Sequence, residues 1–125
     1  MGLDRAASID DLRTRAKGRI PRFAFDLVDG GAESERNMRR NSEAFEEVEL
    51  TPRYMVDVSD IDTHATLFGQ TFDAPFGMAP IGMLNAFWPD ADLILARLCA
   101  RENIPYVASS AASTTLERLA EAAAG

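Results

Sequence analysis

The sequence predicts an α/β chain that opens a parallel sheet, of barrel or doubly wound type, behind a helical N-terminal segment. Two runs carry that expectation. Ala74-Pro75-Phe76-Gly77-Met78-Ala79 is short and almost wholly apolar, and it ends abruptly in Pro80-Ile81-Gly82 with a helical pattern to follow. A strand covered on both faces looks like this, because it has no solvent side on which to alternate. Further on, Ile104-Pro105-Tyr106-Val107-Ala108 repeats the theme, with small polar residues and then a second helix after it. Each strand ends in small or polar residues, and the carboxyl ends of such strands are where α/β folds bind ligands.

The elements before these runs read as helices. Ser8 is placed to cap a first helix, with Asp10 and Asp11 in its first turn near the positive end of the dipole. Asp11 stands where a capping box prefers Glu, so that signal is weak. Gly18 and Pro21 should end this helix, and Pro21 can open another through Val28, stopped by Asp29-Gly30-Gly31. A charged helix is expected from Ser34 to Phe45. From Glu47 the texture changes. Val48, Leu50, Tyr54, Val56 and Val58 favour extended structure, interrupted by Pro52. Residues Ala65 to Phe72 resemble a hairpin with Gly69-Gln70 in its turn.

The helix after the first buried strand is the clearest. Pro89 and Asp90 mark its start, and Ala91, Ile94, Leu95, Leu98 and Cys99 fall on one face, with Arg97 and Arg101 on the other side. Thr114 or Thr115 should start the last helix, with Leu116, Leu119, Ala120 and Ala123 on its buried side. The expected organisation is a helical segment over 1–46, an extended and hairpin connection over 47–73, and the first two β-α units over 74–125. Two such units form too narrow a sheet to cover both faces, and a complete (β/α)8 barrel needs roughly 250 residues. The expectation is therefore an N-terminal fragment of a larger protein, with a complete small α/β domain as the bland alternative. The unfinished sheet edge would invite aggregation.

Composition bounds the rest. With 46% hydrophobic and 26% charged residues, the chain has the balance of an ordinary folded protein. A net charge of −7 argues against a general nucleic-acid partner. Cys99 has no second cysteine to pair with, which fits a reducing compartment, and its apolar neighbours read as packing. No run approaches the ~18 apolar residues that cross a bilayer, and Met1 to Arg5 lack the apolar stretch of a secretory signal.

Chemistry is expected at the strand ends. Pro80 would rigidify its turn while Gly82 removes side-chain bulk, so that backbone can approach a ligand closely. Ser109 and Ser110 either hydrogen-bond a ring or phosphate or merely cap a strand end. Trp88 either lines a pocket or closes a helix start. His64, the sole histidine, precedes the first buried strand and reads as a surface residue, because a general base must reach its substrate. The sequence has no Cys/His cluster for a metal, no Walker loop and no Gly-x-Gly-x-x-Gly; Gly30-Gly31 follows a helix, the wrong context for a dinucleotide turn. The pairs Asp10-Asp11 and Glu46-Glu47 read as solvated.

Taken in order, several motifs resemble the FMN-dependent α-hydroxy-acid dehydrogenase and oxidase family, which includes glycolate oxidase and the lactate and mandelate dehydrogenases. They are Ile20-Pro21-Arg22, Phe25-Asp26, Gly30-Gly31-Ala32-Glu33, Asn41 with Phe45, Thr51-Pro52-Arg53, Val56-Asp57-Val58 and Leu67-Phe68-Gly69. Ala74-Pro75, Ala79-Pro80-Ile81-Gly82 and Ser109-Ser110 continue the series. Asn85-Ala86-Phe87-Trp88-Pro89, then Asp92-Leu93 and Leu95-Ala96-Arg97, look closest to the mandelate dehydrogenase branch, with a lactate-like enzyme beside it.

The resemblance implies the N-terminal part of an FMN-binding (β/α)8 TIM barrel, with Pro75–Ala79 and Tyr106–Ala108 as its first two strands. It implies Pro80, Ile81 and Gly82 packing along the flavin and Ser109 contacting it. The reaction implied is oxidation of a small L-2-hydroxy acid to a 2-oxo acid, with oxygen, a quinone or a cytochrome as the final electron acceptor. Two departures bear on substrate. Leu27 follows Asp26 where the family has a substrate-holding tyrosine, and Ala111 stands where some members have an aromatic residue. The family's histidine base, arginines and lysine lie in later strands, so no catalytic residue is assigned here, and these 125 residues alone are expected to be inactive and to bind FMN poorly. A cytoplasmic homo-oligomer, peripheral to the inner membrane in some relatives, is expected of the full-length protein. The alternatives are a non-catalytic barrel that binds FMN or another phosphate ligand, and a truncated interaction module.

Overall fold

Local signals set the first three helices. A computed structural model describes residues 6–124, so the readings of Met1 to Arg5 and of Gly125 lie outside the described residues. Helix α1 spans Ile9–Lys17 and starts at Ser8, whose hydroxyl accepts from the Asp11 N–H. The Asp11 carboxylate in turn accepts from the Ser8 N–H at 3.2 Å, so the capping box that looked weak is complete. Aspartate is shorter than glutamate but reaches because Ser8 is extended, which brings its N–H back over the turn. Gly18 ends α1, and Pro21 precedes α2, Arg22–Asp29. Helix α2 buries Ala24 and Phe25. Arg13 of α1 forks onto Asp29 of α2 with both carboxylate oxygens engaged. That pair raises the guanidinium and lowers the carboxyl, though its exposure limits what it adds to stability.

Helix α3, Arg36–Glu46, begins two residues later than expected, because Glu35 takes a left-handed conformation and breaks the helical path. The extended run from Val48 to Val58 contains no strand, and its apolar side chains are exposed. Strand propensity needs a partner ladder to be expressed, and none of the described residues offers one here.

The chain divides into two compact units, residues 1–58 and 59–125. The second unit opens on an antiparallel hairpin, β1 Ala65–Leu67 and β2 Gln70–Phe72, with Ala65 opposite Phe72 and Leu67 opposite Gln70. Its two turn residues are Phe68 and Gly69, not Gly69 and Gln70. Both have positive φ, 51° and 80°, as the type I′ geometry that matches strand twist requires. Gln70 instead joins the ladder.

Two β-α units follow, in skeletal form. Met78 and Tyr106 form a parallel bridge: the Met78 N–H donates to the Pro105 carbonyl at 2.8 Å, and the Val107 N–H to the Met78 carbonyl at 3.1 Å. The two chains touch at Gly77, where a Cβ would stand 2.3 Å from the Pro105 carbonyl oxygen. The expected burial of the first strand does not hold. Phe76 is 68% exposed, since this strand has one neighbour and one covered side.

Helix α4, Ala91–Arg101, starts after Asp90, and α5, Leu116–Ala123, is capped by the Thr115 hydroxyl, which accepts from the Arg118 N–H. Their buried faces differ from those expected. In α4 the buried residues are Asp92, Leu93, Ala96 and Cys99, while Ile94 and Leu98 face outward. In α5 Leu119 is buried with Ala122 packed beside it, while Leu116, Ala120 and Ala123 are exposed. The core is Leu93, Ala96 and Leu119, closed by Tyr106, Ala108 and Ala122. Helix α4 is apolar on two adjoining stripes, and the one that meets α5 and the second strand is buried.

Candidate functional site

The two strand ends lie side by side in the second unit. After Met78 the chain runs through Pro80, Ile81 and Gly82 to Met83, which turns left-handed (φ 58°) and starts a short 3-10 turn over Leu84–Ala86. After Tyr106 it runs through Ser109 to Ala111 and on to the cap of α5. Three hydrogen bonds lace the second loop onto its surroundings. The Met83 N–H donates to the Ala111 carbonyl at 2.9 Å, the Asn85 N–H to the Ser113 hydroxyl at 3.2 Å, and the Ser113 N–H to Asp92 Oδ2 at 3.0 Å.

This lacing brings together Gly82, Ser109 and Ala111. A Cβ on Gly82 would lie 3.1 Å from the Ala111 Cβ and 3.6 Å from the Ser109 hydroxyl oxygen. That oxygen accepts from the Ala111 N–H at 3.1 Å, which leaves its proton to donate outward. Among the described residues nothing accepts from the N–H groups of Ile81 or Gly82. Pro80 has no N–H, and it and Ile81 face solvent. The rim therefore offers two free backbone donors and one hydroxyl, which suits an acceptor-rich ligand such as a flavin ring edge or a phosphate. It is an open rim; the larger concavities of this unit lie elsewhere, between α4 and α5 and beside the hairpin.

The other candidates are placed apart. Leu27 lies on α2 in the first unit and is 59% exposed. Ser110 and Ala111 are exposed, while Ser109 is half-buried. Trp88 closes the approach to α4, its carbonyl accepting from the Ala91 N–H at 3.3 Å, and its ring is largely exposed. His64 is a surface residue: Nδ1 lies 2.6 Å from Asp62 Oδ1, and that hydrogen bond raises its pKa. Cys99 is buried, which pushes its thiol up and away from reactivity. Asp10 and the Glu46-Glu47 pair are exposed. Among the described residues no group of three or more His, Cys, Asp or Glu could hold a metal ion.

The sequence reading missed the role of Asp92, 1% exposed, and of Ser113. Its available signal was an acidic residue in the first turn of an otherwise apolar helix. Burial and the Asp92 carboxylate together raise the Tyr106 hydroxyl.

Comparison with known proteins gives the same direction. The profile of the FMN-dependent dehydrogenase family matches residues 16–125. The chain is 34% identical over 113 residues to (S)-mandelate dehydrogenase of Pseudomonas putida, covering 90% of this chain and 29% of that one. It is 35% identical to L-lactate oxidase of Lysinibacillus sphaericus, with the same shares. A soluble mutant of the membrane-associated Pseudomonas putida enzyme superposes with a TM-score of 0.84 at 34% identity, over 90% of this chain and 32% of that one. A mandelate oxidase variant carrying a C4a-OH-FMN adduct also superposes with a TM-score of 0.84, at 30% identity and over 90% and 34% of the two chains. The chain thus spans under a third of the curated relatives it matches. With a family match over residues 16–125 and superposition on these structures over 90% of its length, this chain belongs to the FMN-dependent dehydrogenase family.

Proposed function

We propose that this chain supplies the first cofactor-facing rim of an enzyme that oxidises an L-2-hydroxy acid, mandelate- or lactate-like, to the 2-oxo acid. The observation that carries the reading is the convergence of Gly82 and Ser109 at adjacent strand ends, beside the free N–H groups of Ile81 and Gly82. FMN, when bound, supplies the redox chemistry by taking up the electrons that leave the substrate. Pro80 stiffens the turn, Ile81 and Gly82 donate backbone hydrogen bonds, and the Ser109 hydroxyl donates a third. Gly82 also keeps the two loops in contact. The base that takes the substrate proton and the cations that bind its carboxylate are proposed to come from residues outside this chain, as its share of the relatives' length supports. Electrons pass on to oxygen, a quinone or a cytochrome. The protein is proposed to act as a homo-oligomer in the cytoplasm, with peripheral attachment to the inner membrane suggested by the membrane-associated relative. Among the described residues no helix is long and apolar enough to cross a membrane.

One observation favours a second reading, a non-catalytic FMN or phosphate binder. Leu27 presents an exposed hydrocarbon side chain, which cannot donate a hydrogen bond to a hydroxy acid.

The test is flavin content of the protein produced from its whole reading frame, followed by anaerobic addition of L-mandelate or L-lactate. Bleaching of the oxidised flavin band supports the enzyme. Bound FMN that neither acid bleaches supports the binder. Absence of flavin overturns the enzyme and the FMN binder alike, and leaves only the binder of another phosphate ligand.

A further inference from the structure

We propose that Asp92 is a positioning residue for the cofactor-facing rim, holding the Ser109–Ser113 turn against the 81–85 segment through Ser113. The inference rests on the proposed role of Gly82 and Ser109 as flavin contacts.

Asp92 sits in the first turn of α4 and is 1% exposed, on a helix that also buries Leu93, Ala96 and Cys99. A carboxylate in such surroundings is costly unless hydrogen bonds replace its water. The helix dipole offsets part of that cost, and the Ser113 N–H at 3.0 Å supplies a charge-assisted bond. Ser113 then passes the constraint on. Its hydroxyl accepts from the Asn85 N–H at 3.2 Å, and two residues back the Ala111 carbonyl accepts from the Met83 N–H at 2.9 Å. A carboxylate fixed in a rigid helix thereby sets the spacing between the Ile81 and Gly82 donors on one loop and the Ser109 hydroxyl on the other. Asp92 Oδ1 has no hydrogen-bond partner among the described residues; the Ser113 bond is made through Oδ2. The carboxylate also acts on the Tyr106 hydroxyl, whose pKa burial and this carboxylate together raise. An alanine would remove the acceptor of the Ser113 N–H and leave the turn untethered.

The variants are Asp92→Ala, Asp92→Asn and Ser113→Ala in the protein made from its whole reading frame and loaded with FMN. Asp92→Ala is expected to raise the FMN dissociation constant about tenfold, and to change the flavin circular dichroism while leaving the far-ultraviolet spectrum intact. Asp92→Asn, whose amide oxygen still accepts from Ser113, should recover most of both. A folded Asp92→Ala protein with the wild-type FMN affinity and flavin spectrum overturns the proposal, as does an Asn variant no better than Ala. Should Asp92→Ala not fold, Ser113→Ala decides. Weaker FMN binding with faster amide exchange at Asn85 supports the tether, and no change in either overturns it. Should the wild type bind no FMN, the functional reading fails by itself. Amide exchange at Ser113 and Asn85 in Asp92→Ala then judges the tether: faster at both supports it, and unchanged exchange overturns it.

Discussion

The Cα of Gly82 faces Ala111 so closely that a Cβ placed on it would stand 3.1 Å from the Ala111 Cβ. At that distance the two strand-end loops meet, and a second methyl fits only if one of them gives by a few tenths of an ångström. Gly82→Ala is therefore expected to destabilise the protein by about 1 kcal/mol, the low end for overpacking, and to weaken FMN binding by parting the loops. Ala111→Gly on the same background should recover most of the loss. Chemical denaturation of the four proteins of this cycle measures the coupling, and additive effects would show that the contact is slack.

Gly77 has a harsher neighbour. A Cβ there would lie 2.3 Å from the Pro105 carbonyl oxygen, a backbone atom that cannot swing aside. Gly77→Ala must separate the two strands at the Met78–Tyr106 bridge. The expected cost is about 3 kcal/mol, read as a lowered urea midpoint. Faster amide exchange at Val107, whose N–H donates across the bridge, should accompany it.

The buried stripe of the helices makes a sharp comparison. Leu119→Ala empties a position in the core between α4 and α5 and should cost about 2–3 kcal/mol. Ile94→Ala and Leu98→Ala trim side chains that are 45% and 36% exposed and should cost less, about 1 kcal/mol each. Equal losses from all three would mean that the outward stripe is covered in solution.

His64 gives stability a pH dependence. Its pKa is raised by the hydrogen bond and charge of Asp62, with a smaller contribution from Asp73. A group raised in the folded state stabilises fully below its unfolded pKa of about 6.5 and loses that contribution as pH rises through its folded value. The unfolding midpoint should therefore fall between neutral and mildly alkaline pH in the wild type and stay flatter in His64→Gln. A proton NMR titration of the imidazole should give a midpoint above 6.5; a midpoint at or below that value would remove the effect.

Leu27→Tyr adds the hydroxyl that an exposed hydrocarbon lacks. On the enzymatic reading, kcat/KM for L-mandelate should rise about tenfold, the value of one hydrogen bond to a charged group. An unchanged kcat/KM in a protein that already turns over would show that the substrate does not use position 27.

Much of the fold was legible in local chemistry. Ser8, Gly18, Pro21 and Thr115 each mark a helix boundary that a cap or a ring constraint enforces within a few residues, whereas Asp90 starts α4 from a left-handed conformation without a side-chain cap. The hairpin was legible too, although its turn falls one residue earlier: Phe68 and Gly69 take the paired positive φ values, easy for the glycine alone, and Gln70 joins the ladder. The strand ends at Pro80-Ile81-Gly82 and Ser109 stood out as small residues after apolar runs, a pattern that a ligand contact and a simple strand-end cap share. By itself, then, the sequence determined the helices, the hairpin and their order, while the extended run over 48–58 forms no strand and the two later strands are reduced to the Met78–Tyr106 bridge. Tertiary structure decided which surfaces those elements spend on one another. Helix α4 carries apolar residues on two adjoining stripes, and periodicity alone cannot choose between Ile94 with Leu98 and Leu93 with Ala96; contact with α5 and Tyr106 does. The burial of Asp92 has the same origin. A first-turn aspartate is an ordinary surface residue until a loop from elsewhere in the chain brings Ser113 within hydrogen-bond reach, and only long-range packing can do that.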